Sequence, residues 1–194
     1  MRITKIERKT KETEIIGSLK LEGSGKATIA TDIGFFDHML TALAKQGLFD
    51  IELIAKGDLY VDQHHTVEDV GIVLGQMFKE AIGDKRRINR YGFFLLPMDE
   101  ALAQAAIDLD GRCKLVFDAS FSAEKVGEFQ TQLVQEFFEA FVRECRCTLQ
   151  LKLLEGKNDH HKIEALFKAV GRALRMACEK DPREKEIPST KGVI

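Results

Sequence analysis

Residues 62–68 read DQHHTVE, and residues 158–164 read NDHHKIE, so one pattern of two histidines and a glutamate occurs twice in this 194-residue chain. The chain has only five histidines, and four of them belong to these two adjacent pairs. The two stretches lie about half a chain length apart, which indicates an internally duplicated protein.

Each of these stretches stands at the start of an amphipathic run. Apolar residues three and four positions apart follow each glutamate, which predicts a helix with the histidine pair in its first turn. A strand-like stretch precedes each pair, at residues 50–55 and 148–154, and another helical pattern precedes that strand, at 36–43 and 133–141. Alternating stretches open the two halves, at residues 3–7, 14–22 and 26–31 and again at 91–96, 104–110 and 114–119.

The order of strands, helix, strand and helix therefore occurs twice. It predicts an α+β fold, an internally duplicated unit with helices packed on one face of each sheet. We expect the first repeat at residues 1–88, the second at 89–180 and a C-terminal tail at 181–194. Because no linker rich in Pro, Gly or Ser separates the halves, we expect one compact catalytic unit.

Charge and composition exclude several classes of protein. Lys and Arg number 29, Asp and Glu number 31, and the net charge is −2, which argues against binding to nucleic acid or to an anionic membrane. No apolar stretch has the length of a membrane span, and no secretory signal is visible. The four cysteines form no CxxC pair, so we expect free thiols and a cytoplasmic location.

The spacing within each stretch suits metal binding. Residues four apart share a helix face, so His64 and Glu68 can bind one ion, and His160 and Glu164 can do the same. Adjacent residues point about 100° apart, so the two imidazoles of a pair serve different ions. Nitrogen and oxygen ligands together suit Mn, Fe, Zn or Ni. The alternative, a polar helix start, explains one such stretch better than two equivalent ones.

Other polar residues are open to two interpretations. Asp99 and Glu100 end an apolar stretch and are either catalytic or part of a turn. Arg112, in the sequence DGR at 110–112, lies either in a solvated turn or in a binding site. The sequence PSTKG at 188–192 offers hydroxyls, a cation and backbone donors that suit a phosphate, or it is a polar tail.

Six motifs in order carry a resemblance to a known family. They are FFDHML (35–40), DQHHTVED (62–69), PMDEAL (97–102), DGR (110–112), NDHHKIEALFKA (158–169) and PSTKGV (188–193). Over nearly its full length the chain resembles imidazoleglycerol-phosphate dehydratase of histidine biosynthesis. The resemblance implies a fold like that of ribosomal protein S5 domain 2 and removal of water from D-erythro-imidazole glycerol phosphate to give imidazole acetol phosphate. It also implies two Mn²⁺ ions per active site and a large homo-oligomer of about 24 subunits.

The resemblance also implies roles for individual residues. The metal ligands would be His38, His64, His65, Glu68, Glu136, His160, His161 and Glu164, where Glu136 stands at a position that is His or Glu in the family. The substrate-binding residues would be Glu12, Arg90, Asp99, Arg112, Lys168, Ser189 and Lys191, most of them for the phosphate. Glu164, Glu68 and Glu12 are the candidates for proton transfer, and the sequence does not rank them. The chain departs from the family pattern at Ala42, Gln46 and Gln150.

Two other functions use the same residues. One is a catalytically impaired relative that keeps metal ions to hold a cage together. The other is a metal-dependent hydrolase of a small phosphorylated substrate. The retained cations of the phosphate motifs argue against the cage-only protein, because a scaffold has no use for them.

Overall fold

The computed structural model describes residues 1–194 and contains the two halves as two similar sets of elements. The first half has β1 (Ile3–Lys9), β2 (Thr13–Lys20), β3 (Ala27–Ala30), α1 (Gly34–Gly47), β4 (Asp50–Gly57) and α2 (His64–Ile82). The second half has β5 (Tyr91–Met98), β6 (Ala101–Asp108), β7 (Lys114–Asp118), β8 (Lys125–Val126), β9 (Phe129–Gln130), α3 (Leu133–Cys145), β10 (Thr148–Glu155) and α4 (Asp159–Cys178).

The two four-stranded sheets have the same topology. Their strand orders are β1-β2-β4-β3 and β5-β6-β10-β7, with two antiparallel pairings followed by one parallel pairing in each. The predicted duplicated α+β fold is therefore confirmed. The short β8–β9 hairpin was not predicted, and it occurs only in the second half.

Alternation along the strands determines which face of each sheet is covered. On β2, Ile15 and Leu19 are buried under the helices, whereas Ile16 is 40% exposed on the opposite face. The helices α2 and α4 cover the inner faces of the two sheets, and they pack against α3 and α1 respectively. Each half thus contributes helices to a layer shared by the two sheets. The prediction of helices on one face of each sheet is confirmed, and the sharing of the layer was not predicted. None of the helices has the length and apolar character needed to cross a bilayer.

Glycine allows the helices of the two halves to come close. A Cβ atom at Gly171 of α4 would collide with the carbonyl oxygen of Leu43 in α1. A Cβ atom at Gly71 of α2 would lie 2.7 Å from the carbonyl oxygen of Phe137 in α3. Side chains at these positions would separate the helices, so the glycines allow α1 and α4 to bring residues of different halves together.

Asp50 gives a testable contribution to the stability of the first sheet. Its Oδ1 accepts backbone N–H groups of Ser24 (2.7 Å) and Lys26 (3.1 Å), and these bonds lower the pKa of Asp50 to about 2. We expect Asp50→Asn to destabilise the protein by about 1–2 kcal/mol at pH 7, since hydrogen bonds to a charged acceptor are the stronger ones.

The difference in the free energy of unfolding between the wild type and Asp50→Asn should become smaller as the pH is lowered. A carboxylate with a depressed folded pKa stabilises the fold above its unfolded pKa, and the contribution is lost as the pH falls toward 2. Thermal unfolding of the wild type, Asp50→Asn and the control Glu52→Gln at pH 7 and pH 3 measures it. An Asp50→Asn difference that is the same at both pH values would contradict this explanation.

Candidate active site and metal centre

The two histidine pairs are placed by the same local structure. Asp62 Oδ1 accepts the backbone N–H of His64 at 2.7 Å, and Asn158 Oδ1 accepts that of His160 at 2.9 Å. In both cases a short side chain two residues before the pair satisfies a free N–H group at the start of the helix. Both pairs therefore lie in the first turn of their helices, as predicted.

One group of candidate metal ligands, called the metal cluster below, joins residues of both halves. His38 at the start of α1 and His160 and Glu164 of α4 have ligand atoms that all lie within 4.8 Å of one another. Glu164 Oε2 is 3.2 Å from His160 Nε2 and 3.6 Å from His38 Nε2. The α1–α4 crossing creates this cluster, since His38 is distant in sequence from the other two residues.

The cluster suits a divalent metal ion in its chemistry and in its spacing. Two imidazole nitrogens and one carboxylate oxygen form a donor set that Mn, Fe, Zn and Ni accept. Neighbouring ligand atoms that are each about 2.1 Å from one ion lie roughly 3.0–3.4 Å apart. The two distances from Glu164 Oε2 to the imidazole nitrogens, 3.2 and 3.6 Å, are close to this range. The imidazoles of His38 and His160 are about half exposed, so further ligands can approach from outside.

Lys168 contacts the same glutamate. Its Nζ lies 2.6 Å from Glu164 Oε1, which leaves Oε2 directed at the two imidazoles. Burial raises the pKa of Glu164, but the hydrogen bond and charge of Lys168, together with the two histidines, outweigh burial and bring the pKa below the usual glutamate value. Glu164 is thus held as a carboxylate, the form that binds metal.

His161 is held by two acidic residues of the turn between β5 and β6. Its Nδ1 donates to Glu100 Oε2 at 2.8 Å, and its Nε2 lies 3.4 Å from Asp99 Oδ2. Hydrogen bonds from the Asn158 backbone, His161 and the Lys157 backbone lower the pKa of Glu100 to about 2. The Glu100 hydrogen bond in turn raises the pKa of His161.

His65 has the equivalent environment in the first half. Its Nδ1 donates to Asp58 Oδ2 at 3.0 Å, and its Nε2 lies 3.9 Å from Glu12 in the turn between β1 and β2. The Asp58 hydrogen bond raises the pKa of His65. A carboxylate on Nδ1 fixes the tautomer that leaves Nε2 as the ligand atom, which is the usual arrangement for histidines that bind metal.

The other predicted ligands do not join a cluster within one chain. His64 adjoins His65, with ring centroids 6.3 Å apart, and Glu136 lies half-buried in the first turn of α3. Glu68 accepts a hydrogen bond from Arg143 at 3.1 Å. The structure thus brings together three of the predicted ligands and leaves His64, Glu68 and Glu136 without a shared site in the chain.

The predicted phosphate-binding residues lie mostly in a separate cleft. Arg90, Arg112, Ser189 and Lys191 line a cleft of about 770 Å³ between the C-terminal tail, the start of β5 and the end of β6. Arg112 is largely exposed, with 76% of its side chain accessible. Lys168 is not part of this cleft, since it lies at the metal cluster.

Arg90 is already bonded within the protein. Its Nε and Nη2 donate to the two carboxylate oxygens of Asp108 at 2.7 and 3.1 Å, and its Nη1 donates to the Pro188 carbonyl at 2.9 Å. This geometry attaches the tail to the second sheet. Arg112 and Lys191 remain as the exposed cations of the cleft.

The cleft and the metal cluster lie far apart in one chain. Arg90 precedes β5 and its backbone N–H bonds to Ala177 near the end of α4, whereas Asp99 follows β5 and His160 lies at the start of α4. Strand β5 and helix α4 each advance about 25 Å between these points. One small substrate therefore cannot contact both regions of a single chain.

Two carboxylates of the site are not among the residues that the sequence pattern predicts as ligands. The pattern leaves Glu100 as either catalytic or part of a turn and assigns no role to Asp58, yet each carboxylate bonds Nδ1 of a histidine. The sequence signal that could have identified them is an acidic residue in the turn directly after a strand. In the structure, both turns face the start of the helix that carries the histidine pair. The departures Ala42, Gln46 and Gln150 do not belong to the metal cluster.

Comparisons with known proteins identify the family. A family model described as imidazoleglycerol-phosphate dehydratase matches residues 31–174. A protein of that name from Acetivibrio thermocellus is 56% identical over 189 residues, covering 97% of each chain. One from Clostridium botulinum strain Hall is 55% identical over 192 residues, covering 99% of this chain and 98% of the relative.

Solved structures give the same result. The crystal structure of imidazoleglycerol-phosphate dehydratase from Staphylococcus aureus subsp. aureus N315 is 41% identical, with a TM-score of 0.84, covering 92% of this chain and 99% of that one. The Pyrococcus furiosus structure, in complex with (S)-C348, is 35% identical, with a TM-score of 0.85, covering 97% of this chain and all of that one. The chain belongs to the imidazoleglycerol-phosphate dehydratase family.

Proposed function

We propose that the protein catalyses the metal-dependent dehydration of D-erythro-imidazole glycerol phosphate to imidazole acetol phosphate, a step of histidine biosynthesis. The family supports a hydro-lyase with this substrate. The observation that carries the metal dependence is the cluster of His38, His160 and Glu164, whose donor atoms lie together across the two halves. The four unpaired cysteines suit a reducing compartment and support a cytoplasmic location.

We assign two Mn²⁺ ions to each active site, since the histidines of each pair point in different directions. His38, His160 and Glu164 would hold one ion. The Nε2 atoms of His65 and His161, which lie near Glu12 and Asp99, would serve a second. His64, Glu68 and Glu136 complete the ligand set. When bound, the ions supply Lewis-acid stabilisation of negative charge on the imidazole ring of the substrate.

The protein must also move a proton from a carbon atom that has no neighbouring carbonyl group. Glu12 is the best placed for this step, because its exposed carboxylate is paired with no Lys or Arg and lies 3.9 Å from His65 Nε2. Glu164 is bonded to Lys168 and is better suited to metal binding. Glu68 is bonded to Arg143 and would have to leave it before taking a proton.

The phosphate would bind in the cleft of Arg112, Ser189 and Lys191, with Arg90 holding the tail in place. Three carbons and an oxygen separate the ring from the phosphate, so the substrate spans less than about 10 Å. Since cleft and cluster are about 25 Å apart in one chain, a complete active site takes the cleft from another subunit. This arrangement supports a homo-oligomer with sites at its interfaces.

The outer faces of the sheets support the same assembly. On β5, Tyr91, Phe93 and Leu95 are 57%, 68% and 53% exposed and form an apolar row. On the other sheet, Ile16 and Ile54 are cross-strand partners and are 40% and 54% exposed. Exposed apolar patches of this kind are typical of contacts between subunits. We propose a large cage of about 24 subunits, the number that the family resemblance implies.

A single assay separates the possible functions. The protein is incubated with Mn²⁺ and imidazole glycerol phosphate, and the products are identified. Formation of the ketone imidazole acetol phosphate supports the dehydratase. Release of inorganic phosphate would identify a hydrolase, and bound Mn²⁺ without turnover would identify a scaffold; either result would contradict the proposal.

The two exposed cations of the cleft should affect substrate binding more than turnover. We expect Arg112→Ala and Lys191→Ala each to raise KM by about tenfold to a hundredfold with a smaller change in kcat, because each removes a charge that pairs with the phosphate dianion. Added salt should narrow the difference from the wild type. Steady-state kinetics at two salt concentrations test this, with Lys185→Ala of the exposed tail as the control. An unchanged KM in both variants would favour the solvated turn and polar tail.

A further inference from the structure

Residues 119–132 join β7 to α3, contain the β8–β9 hairpin, and are called the hairpin segment here. The equivalent connection in the first half, between β3 and α1, consists only of residues 31–33. The hairpin segment is therefore an insertion that breaks the symmetry of the duplication. Its Phe129 is fully buried, so the insertion is part of the core.

One side chain of the first half holds the hairpin segment near its end. Gln63 Nε2 donates to the Glu128 carbonyl at 3.0 Å, and Gln63 Oε1 accepts the backbone N–H of Gln130 at 3.3 Å. Both ends of the amide are thus bonded to the residues that flank Phe129. Gln63 immediately precedes His64.

One side chain of the second half holds the beginning of the hairpin segment. Asp159 Oδ2 accepts the backbone N–H groups of Ser122 (2.8 Å) and Ala123 (2.7 Å) and the Ser122 hydroxyl (2.8 Å). Its Oδ1 pairs with the buried Lys162 at 2.8 Å. Asp159 immediately precedes His160, so Asp159 and Gln63 occupy equivalent positions of the two repeats.

The buried ring of Phe129 connects the hairpin segment to the metal cluster. Its centroid lies 5.7 Å from that of Phe35 and 5.6 Å from that of Phe36, at the start of α1. Phe35 in turn meets the His160 ring edge-on at 5.0 Å. The hairpin segment thus contacts the starts of α1, α2 and α4 and leads directly into α3, and these four helix starts carry most of the proposed ligands.

We propose that the hairpin segment is a clamp that fixes the two histidine pairs relative to each other, with Gln63 and Asp159 as its positioning residues. This inference rests on the metal-binding role proposed above. The Gln63 amide and Asp159 Oδ2 are bonded to the hairpin segment, so the two residues act through that segment. A clamp of this kind makes metal binding by one repeat depend on the structure of the other. The competing explanation is that each residue orients only its adjacent histidine.

Two single variants and their double variant separate these explanations. Gln63→Ala removes the hydrogen bonds at one end of the hairpin segment, and Asp159→Asn weakens those at the other end. Asp159→Ala is avoided because it would leave the buried Lys162 unpaired. Gln132→Ala is the control, since the Gln132 side chain bonds only to Gln130 within the hairpin segment. Protein loaded with Mn²⁺ is titrated with a chelator, and the concentration that removes half of the ions is measured.

We expect each single variant to lower this concentration by about threefold to tenfold, and the double variant to lower it no further than the stronger single variant. Gln132→Ala should behave as the wild type. Independent effects that multiply in the double variant would overturn the clamp. So would single variants that melt at a lower temperature yet hold Mn²⁺ as tightly as the wild type.

Hydrogen exchange on the metal-free protein gives a second readout. Gln63→Ala should speed exchange of the Ser122 and Ala123 amides, at the far end of the hairpin segment, and Asp159→Asn should speed exchange of the Gln130 amide. Faster exchange confined to the end next to each substitution would overturn the clamp. If the wild type held no Mn²⁺, the metal-binding proposal would fail, and this exchange experiment alone would decide whether the clamp exists.

Discussion

Glu164→Gln should leave the fold intact and reduce kcat by about 10²- to 10⁴-fold, the range usually seen when an essential ionisable group is removed. Glutamine has nearly the same shape and its amide oxygen can still accept from Lys168. Glutamine carries no charge, however. The cluster therefore loses its anionic ligand atom, Oε2, which lies 3.2 and 3.6 Å from the two imidazole nitrogens.

Metal content must be measured beside turnover, because the loss can arise through the ion or through the carboxylate itself. The matched control is Glu139→Gln, which changes an exposed glutamate of α3 that bonds only to Gln135. We expect that control to keep full activity and full metal. Near-normal turnover of Glu164→Gln with full metal occupancy would rule out the assigned role.

Removal of the metal should shrink the particle to a smaller oligomer, and added Mn²⁺ should restore the large one. His64, Glu68 and Glu136 share no site within one chain, so an ion that uses them must take other ligands from a neighbouring subunit. The free energy of metal binding then contributes to assembly. Size-exclusion chromatography with light scattering, together with a measured metal content, tests this.

Acidification should have the same effect on the particle as removal of the metal. The pKa values of His65 and His161 are raised by Asp58 and Glu100, so protons compete with the ion at a higher pH than for an ordinary histidine, whose pKa is about 6.5. Phe93→Asp is the complementary control, because it should weaken the subunit contacts without touching a ligand. A particle of unchanged mass after verified metal removal would show that protein contacts alone hold the assembly.

Much of the fold could be predicted because its signals are local and occur twice. The apolar spacing after Glu68 and Glu164 predicted α2 and α4, and the structure starts these helices at His64 and Asp159. The strand pattern was less complete: β6 begins at Ala101, three residues before its predicted start, because small alanines alternate there with few polar residues. The hairpin strands have two residues each, too few to show periodicity.

The cluster itself depends on contacts that the sequence does not show directly. His38 meets His160 only because Gly171 lets α1 and α4 approach, and no local pattern states which helices pair. Glu164 and Lys168, by contrast, are four residues apart on one helix, so their contact could be predicted from the sequence. The resemblance had suggested the phosphate for Lys168, and the structure places its ammonium group on the carboxylate in this chain.

The row of exposed apolar residues on β5 also matters before the protein is assembled. β5 is an edge strand, and its sequence YGFFLLPM contains no charged residue, whereas the edge strand β1 carries Lys5, Glu7 and Arg8. Charged residues and proline on an edge resist pairing with foreign strands, and the part of β5 that precedes Pro97 has neither. In the proposed assembly, a newly synthesised chain therefore has an aggregation-prone edge until another subunit covers it. Assembly should be slow at low protein concentration or in metal-starved cells. Under these conditions we expect the amount of intact protein to fall before the activity of each remaining molecule falls.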